Sequence, residues 1–193
     1  MIFDKLRKIF MPSQGAEQVS TVAPKFMSVP HPEEPMNPLA TLANTDIEKI
    51  IAKWLSDWSV PEQNWEYWKT AIDIQVYNSY PPSLTSMGVK QDTPAATWEA
   101  GGKRHLAIKP QWLNPGVIAH EQAHNSYTLL TPSQRENFSA VYTPLIETDY
   151  LIKLLYAKNT YGLSNDIEGH AEVYRYIGQQ MPAQLKIFYP RLF

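Results

Sequence analysis

The chain contains no cysteine among its 193 residues. Disulfides, thiolate nucleophiles, cysteine-ligated zinc and iron–sulfur clusters are therefore excluded, and a metal site would have to use histidine and carboxylate side chains. Histidine is also scarce, so few positions can supply an imidazole ligand. The five histidines are His31, His105, His120, His124 and His170.

Long apolar runs and long blocks of one charge sign are missing as well. No stretch of about 20 apolar residues occurs, so the sequence predicts no transmembrane helix. The net charge is -2, and no long basic block follows the first ten residues, which argues against nucleic acid as a partner. Hydrophobic residues make up 44% of the chain, enough for the core of one domain plus a tail.

The N-terminal 38 residues do not have the pattern of a packed domain. Residues 1–11 place apolar side chains at helical spacing among Lys5, Arg7 and Lys8, without the charged-then-apolar order of a secretory signal peptide. This amphipathic segment is compatible with weak contact to a membrane surface, or with a helix packed on its own domain. Residues 12–38 hold six of the sixteen prolines and predict a linker, with a propeptide as the alternative. Localisation stays open between the cytoplasm and export by a non-standard route.

Residues 39–193 predict one α+β domain that is mostly helical, with a small sheet in the middle. The alternation around Gly101 and Gly102 predicts a hairpin of two short strands, Ala95–Glu99 and Arg104–Lys109. Helices are expected over Thr45 or Asp46 to Ser59, Pro61–Asn78, Pro115–Leu130, from Thr131 onward, Pro144–Lys158 and Asp166–Gln180.

The main chemical signal is the run His120-Glu121-Gln122-Ala123-His124. Residues four apart on a helix lie on one face, one turn apart, so both imidazoles can bind the same ion. Glu121 then points to one side, where it can reach a water molecule on the metal. The apolar residues of 116–119 indicate a buried helix, in which unpaired His and Glu would be costly. A zinc site is therefore predicted; a surface helix with two solvated histidines is the alternative.

A third ligand has to come from a distant part of the chain, because residues 125–134 contain no histidine. Glu168 is the best candidate, and Glu172 lies one turn further along the same predicted helix face. One of them can bind the metal while the other accepts a hydrogen bond from the far nitrogen of a ligand histidine. Gly169 would let another helix or a ligand approach closely. A solvated acidic face is the alternative without a metal, and two other third ligands stay open: His170 and Glu147.

This pattern resembles the gluzincin metallopeptidases, whose third zinc ligand is a glutamate on a separate helix. The long gap to Glu168 is most similar to the catalytic domain of anthrax lethal factor and its relatives. In that group an alanine and a glutamate follow the ligand glutamate, as Ala171 and Glu172 do here, and a catalytic tyrosine stands shortly before the helix, as Tyr161 does. The resemblance covers roughly Ala95–Ile177 and implies a zincin-like fold.

The resemblance also implies a function, the zinc-dependent hydrolysis of a peptide or protein substrate. Glu121 would accept a proton from the metal-activated water and pass it to the leaving amine, while the Tyr161 hydroxyl, together with His105 or a backbone amide, would stabilise the oxyanion. The strand Arg104–Lys109 would border the cleft and pair with extended substrate. Other interpretations are a non-catalytic zinc-binding module and a membrane- or assembly-associated protein. Intact Glu121 and Tyr161 favour the enzyme.

Overall fold

The described part of the protein starts at a long N-terminal helix. The computed structural model describes residues 38–193, with side chains from residue 46 onward. The predicted amphipathic segment 1–11, His31 and the linker up to residue 37 lie outside the described residues. None of the described helices combines the length and the apolar character needed to cross a bilayer.

The elements confirm a mostly helical α+β order with a small mixed sheet. In chain order they are α1 (Pro38–Asp57), α2 (Trp65–Thr70), β1 (Ile72–Val76), α3 (Pro82–Ser86), β2 (Ala95–Ala100), β3 (Lys103–Ile108), α4 (Pro115–Thr128), α5 (Pro132–Thr148), α6 (Tyr150–Lys158), α7 (Asp166–Ile177) and α8 (Ala183–Lys186). Short 3₁₀ turns occur at Glu62–Asn64, Pro110–Trp112, Tyr161–Leu163 and Gly178–Gln180.

The sheet has the strand order β1-β3-β2, with β1 parallel and β2 antiparallel to β3. The predicted hairpin is confirmed, and its turn residues Gly101 and Gly102 have φ values of 59° and 73°. Strand β1 replaces the second half of the helix expected over Pro61–Asn78, so that prediction was wrong. Ile72, Ile74 and Val76 alternate with polar residues, which suits a strand once β3 is there to pair with it.

The two faces of the sheet have different neighbours. Leu106 and Ile108 of β3 pack into the main core together with Ile118 of α4. Ala107 points the other way, into a smaller apolar cluster that includes Trp98. Odd and even positions of β3 therefore face different surroundings, and this alternation decides which of its residues can reach α4.

Helix α4 is buried along nearly its whole length, from Ile118 to Tyr127. It starts at Asn114, whose side chain accepts a hydrogen bond from the Val117 amide at 3.1 Å. Two of its buried polar residues bond to other parts of the chain: Gln122 donates to the Trp68 carbonyl and Ser126 to the Pro190 carbonyl, both at 3.0 Å. These bonds hold the helix in one position in the core.

Helix α5 has its predicted start but not its predicted end. Thr131 and Gln134 form a capping box at its N-terminus. The new helix expected at Pro144 was wrong, because Pro144 lies inside α5. The break comes at Asp149, whose carboxylate accepts hydrogen bonds from the amides two and three residues further on, both at 3.0 Å, and so begins α6.

Helix α7 packs closely on α4. It begins at Asn165, whose side chain accepts a hydrogen bond from the Glu168 amide at 2.9 Å, and it ends at Gly178, which has a φ of 50°. A Cβ atom at Gly169 would lie 2.7 Å from two ring carbons of Tyr142, which belongs to α5. The glycine thus permits the close helix approach that its position in the sequence suggested.

We expect Gly169→Ala to lower the free energy of unfolding by about 1–3 kcal/mol, because the new methyl group overlaps the Tyr142 ring. Without that overlap, Ala in place of Gly inside a helix would stabilise by up to about 1 kcal/mol. Urea denaturation measures the difference. Gly116→Ala in α4 is the matched control, since its nearest atoms are side-chain atoms 3.2 and 3.6 Å away. A Gly169→Ala protein as stable as the control would contradict this packing.

Candidate metal centre

Helices α4 and α7 bring three side chains to one point. His120, His124 and Glu168 each offer one ligand atom, and these atoms lie within 4.8 Å of one another. The Nε2 atoms of the two histidines are 3.0 Å apart. Glu168 Oε2 lies 3.3 Å from His120 Nε2 and 3.6 Å from His124 Nε2. The structure therefore brings together the three side chains that the sequence predicts as metal ligands.

The chemistry of this donor set fits a zinc ion. Two imidazole nitrogens and one carboxylate oxygen, with a further position open, are the ligands of many catalytic zinc sites. Glu168 Oε2 is buried and has no hydrogen-bond partner among the described residues. Leaving a carboxylate oxygen in that state is costly, and a cation between the three donors would remove the cost.

Glu172 lies behind the first histidine. Its Oε1 atom is 2.8 Å from His120 Nδ1, and the residue is only 1% exposed. Asn159 donates a hydrogen bond to the other carboxylate oxygen, and Arg175 Nη1 lies 3.5 Å from Oε1. A carboxylate in this place keeps the proton of His120 on Nδ1 and leaves Nε2 free to bind a metal.

The electrostatics of the metal-free cluster are dominated by its carboxylates. Burial alone would lower the pKa of His120, but the neighbouring carboxylates of Glu168, Glu172 and Glu121 raise that pKa to about 9. For Glu168, burial alone would raise the pKa, whereas the nearby imidazoles of His120 and His124 hold that pKa well below its usual range. Without metal, the site is therefore an ion pair of imidazolium and carboxylate.

The two expected catalytic side chains border this cluster. Glu121 is 9% exposed, and its Oε2 atom has no hydrogen-bond partner in the described part of the chain. Tyr161 is half-exposed, and its ring centroid lies 6.2 Å from that of His120. Burial, the charge of Glu168 and a hydrogen bond to it raise the pKa of Tyr161. The hydroxyl therefore stays protonated at neutral pH and can act as a donor.

His105 lies away from the predicted metal ligands. Its Nδ1 atom is 2.9 Å from Asp73 on β1, and its ring stacks on Trp98 at a centroid distance of 5.2 Å. The reason is strand alternation: His105 shares the face of Ala107, whereas Arg104 shares the face of Leu106 that turns toward α4. This placement gives the suggested oxyanion role of His105 no support.

The two alternative third ligands also lie outside the cluster. His170 is fully buried, its Nε2 atom is 2.8 Å from the Phe188 carbonyl, and its ring stacks on Tyr189 at 3.8 Å. Burial lowers the pKa of His170 to about 3, so the ring is neutral and packs as part of the core. Glu147 is exposed near the end of α5.

A cleft of about 290 Å³ opens beside the predicted metal ligands. It is lined by Thr97, Arg104, His124, Tyr127, Thr128, Arg135, Ile167 and Glu168. Sequence reasoning did not single out either arginine, because only the strand register and the helix packing bring them to the cleft. Pairing of substrate with β3 is also excluded, since β3 is the central strand. The strand that borders the cleft with an edge open among the described residues is β2.

Comparisons with protein families, with curated proteins and with solved structures find no match to this chain. The function has to be inferred from the site itself.

Metal analysis of the purified protein tests the ligand set. We expect one equivalent of zinc in the wild type and in Glu147→Ala. In Glu168→Ala the zinc affinity should fall by more than about 100-fold. Removing a residue that only hydrogen-bonds to a metal ligand already costs roughly 10–100-fold, and a ligand itself should cost more. Elemental analysis after dialysis gives the zinc content, and competition with a chelator gives the zinc affinity. Equal zinc affinity in the two variants would rule out Glu168 as a ligand.

The stability of the metal-free protein should depend on pH through His120. Its pKa of about 9 in the folded state exceeds the usual 6.5, so the folded state binds more protons between these values. The free energy of unfolding is therefore highest below about pH 6.5 and falls as the pH rises toward 9, by up to roughly 3 kcal/mol.

Urea denaturation of chelator-treated protein at pH 6 and pH 9 measures this loss. His120→Gln is the control and should lack most of the pH dependence. If the free energy of unfolding fell by the same amount between pH 6 and pH 9 in both proteins, the assigned charge on His120 would be wrong.

Proposed function

We propose that this protein is a zinc-dependent peptidase with a zincin-like arrangement of helices. His120, His124 and Glu168 hold the metal, and Glu121 is the general base. One observation carries the proposal: three ligand atoms from two separate helices converge within 4.8 Å, and Glu168 contributes a buried oxygen that has no hydrogen-bond partner in the described chain.

A zinc ion bound there would supply Lewis acidity, which polarises a substrate carbonyl and lowers the pKa of water toward about 7. Glu121 follows a ligand directly in sequence and keeps one oxygen free of protein partners. It can therefore hold the proton taken from the attacking water and deliver it to the leaving amine. The partial enclosure of the Glu121 carboxylate suits both steps, because the proton has to stay on it only until the amine leaves.

Tyr161 provides a hydroxyl donor at the rim of the site. The turn that carries it is held against α6, because Gly162 lies so close to Tyr156 that an added Cβ would be 2.8 Å from the Tyr156 hydroxyl. Such a fixed donor can stabilise the negative charge that develops on the substrate carbonyl oxygen. Glu172 contributes by fixing the orientation of His120, not by contacting the substrate.

The shape of the site favours an extended chain as substrate. The cleft is open to solvent on one side and is bordered by β2, whose outer edge carries no partner strand in the described region. An open strand edge offers backbone donors and acceptors to a peptide laid beside it. This supports peptide bonds over small amides as the target.

A non-catalytic zinc module is the competing function. Structural zinc sites are closed by four protein ligands, usually including cysteine. The described residues supply three ligands at this site, and Glu121, adjacent to one of them, has an unpaired oxygen. Both features favour turnover over a structural role.

The decisive test is Glu121→Gln. We expect the variant to keep one equivalent of zinc while peptidase activity falls by about 10²–10⁴-fold, because the amide cannot accept a proton. Activity is measured on unstructured protein and on fluorogenic peptide mixtures, with chelated wild type as the blank. Glu136→Gln, an exposed change on α5, serves as the charge-matched control. Wild-type protein that binds zinc but hydrolyses nothing would favour the structural module.

A further inference from the structure

The cleft beside the metal ligands contains two arginines that the catalytic mechanism does not use. Arg104 comes from β3 and Arg135 from α5, yet both line the same space as His124 and Glu168. Glu168 is the one acidic residue among the eight that line it. When Glu168 is engaged with a metal ion, the remaining charge of the lining is positive.

Neither arginine is fully satisfied by the protein. The Nε atoms of Arg104 and Arg135 are buried and have no hydrogen-bond partner among the described residues. A guanidinium has five N–H donors, and leaving them unpaired away from water is unfavourable. The nearest acid to Arg104 is Glu99, at 3.4 Å with a side chain 69% exposed. Such an exposed, long contact contributes little and can be exchanged for another carboxylate.

The Arg104 backbone and the Arg135 guanidinium are nevertheless held in place. Arg104 belongs to the central strand of the sheet. Arg135 lies over the Tyr127 ring at 5.3 Å and donates a hydrogen bond to the Thr128 carbonyl at 3.2 Å. Arginines fixed in this way lose little freedom when they bind an anion, and they pair with carboxylates through two parallel hydrogen bonds.

We propose that Arg104 and Arg135 form a carboxylate-binding subsite next to the metal ligands, so that the enzyme selects peptides with an acidic side chain or a free carboxyl terminus near the cleaved bond. This inference rests on the proposed peptidase function. It makes the arginines specificity-determining residues, which contact the substrate away from the reacting atoms.

Two peptide series separate the two sources of the carboxylate. In the first, the carboxyl terminus is amidated and Glu replaces Gln at successive positions around the cleaved bond. In the second, the sequence is neutral and the terminus is either a free acid or an amide. We expect kcat/KM of the wild type to be at least about tenfold higher for the acidic member of one series, since a site built around a charged hydrogen bond rejects the neutral analogue.

The double variant Arg104→Gln/Arg135→Gln should reduce that preference, measured as the ratio of kcat/KM for the acidic peptide to kcat/KM for the neutral one, to less than about twofold. Lys153→Gln, an exposed change on α6, is the charge-matched control and should keep the preference. Arg135→Lys keeps the charge without the paired hydrogen bonds and should give an intermediate value. Equal cleavage of acidic and neutral peptides by the wild type would overturn the subsite, as would a double variant that loses both activities equally.

A binding measurement keeps the two proposals distinguishable. If the wild type cleaves no peptide of either series, the peptidase proposal fails, and fluorescence anisotropy of labelled peptides on the Glu121→Gln protein then decides the subsite. Binding of the acidic peptide at least about tenfold tighter than its amide counterpart, lost on changing both arginines, would support it. Equal affinities for the two peptides would overturn it.

Discussion

The contact between α4 and α7 is the constraint on which the rest of the structure depends. It places two imidazoles and two carboxylates, from His120, His124, Glu168 and Glu172, in a region with little access to water. Charges in such a position are unfavourable unless each finds a partner. Gly169 of α7 leaves room for a tyrosine of α5, so α7 is packed on this third helix as well. Backbone packing therefore sets the spacing of the charged groups.

The two carboxylates of this cluster differ in how many hydrogen-bond partners the protein gives them. Both oxygens of Glu172 have hydrogen-bond donors, from Asn159 and Arg175, and Oε1 also lies 2.8 Å from His120 Nδ1. Glu168 keeps an unpaired buried oxygen, and it faces two Nε2 atoms only 3.0 Å apart. A satisfied outer carboxylate next to an unsatisfied inner set is the arrangement expected when an ion completes the site.

Sequence reasoning found the features that depend on local spacing. The histidine pair follows from helical periodicity, and the start of α5 follows from its capping box. It failed for β1, where a distant partner decides, since β1 pairs with residues 32 positions further along the chain. It also failed at Pro144, where a helix start was expected although Asp149 makes the break. In this position the capping ability of Asp149 was the local signal available.

The choice between His105 and Arg104 shows how non-local information reaches the cleft. The two residues are neighbours in β3, so their side chains must leave opposite faces of the sheet. Pairing of Ile72 with Arg104 and of Asp73 with His105 assigns the arginine to the face of α4. A shift of one residue would exchange them and put an imidazole beside the metal ligands. The register is held by the apolar residues Leu106 and Ile108, which would lose their burial in such a shift. Core packing two and four residues away therefore determines which charge the cleft presents to a substrate.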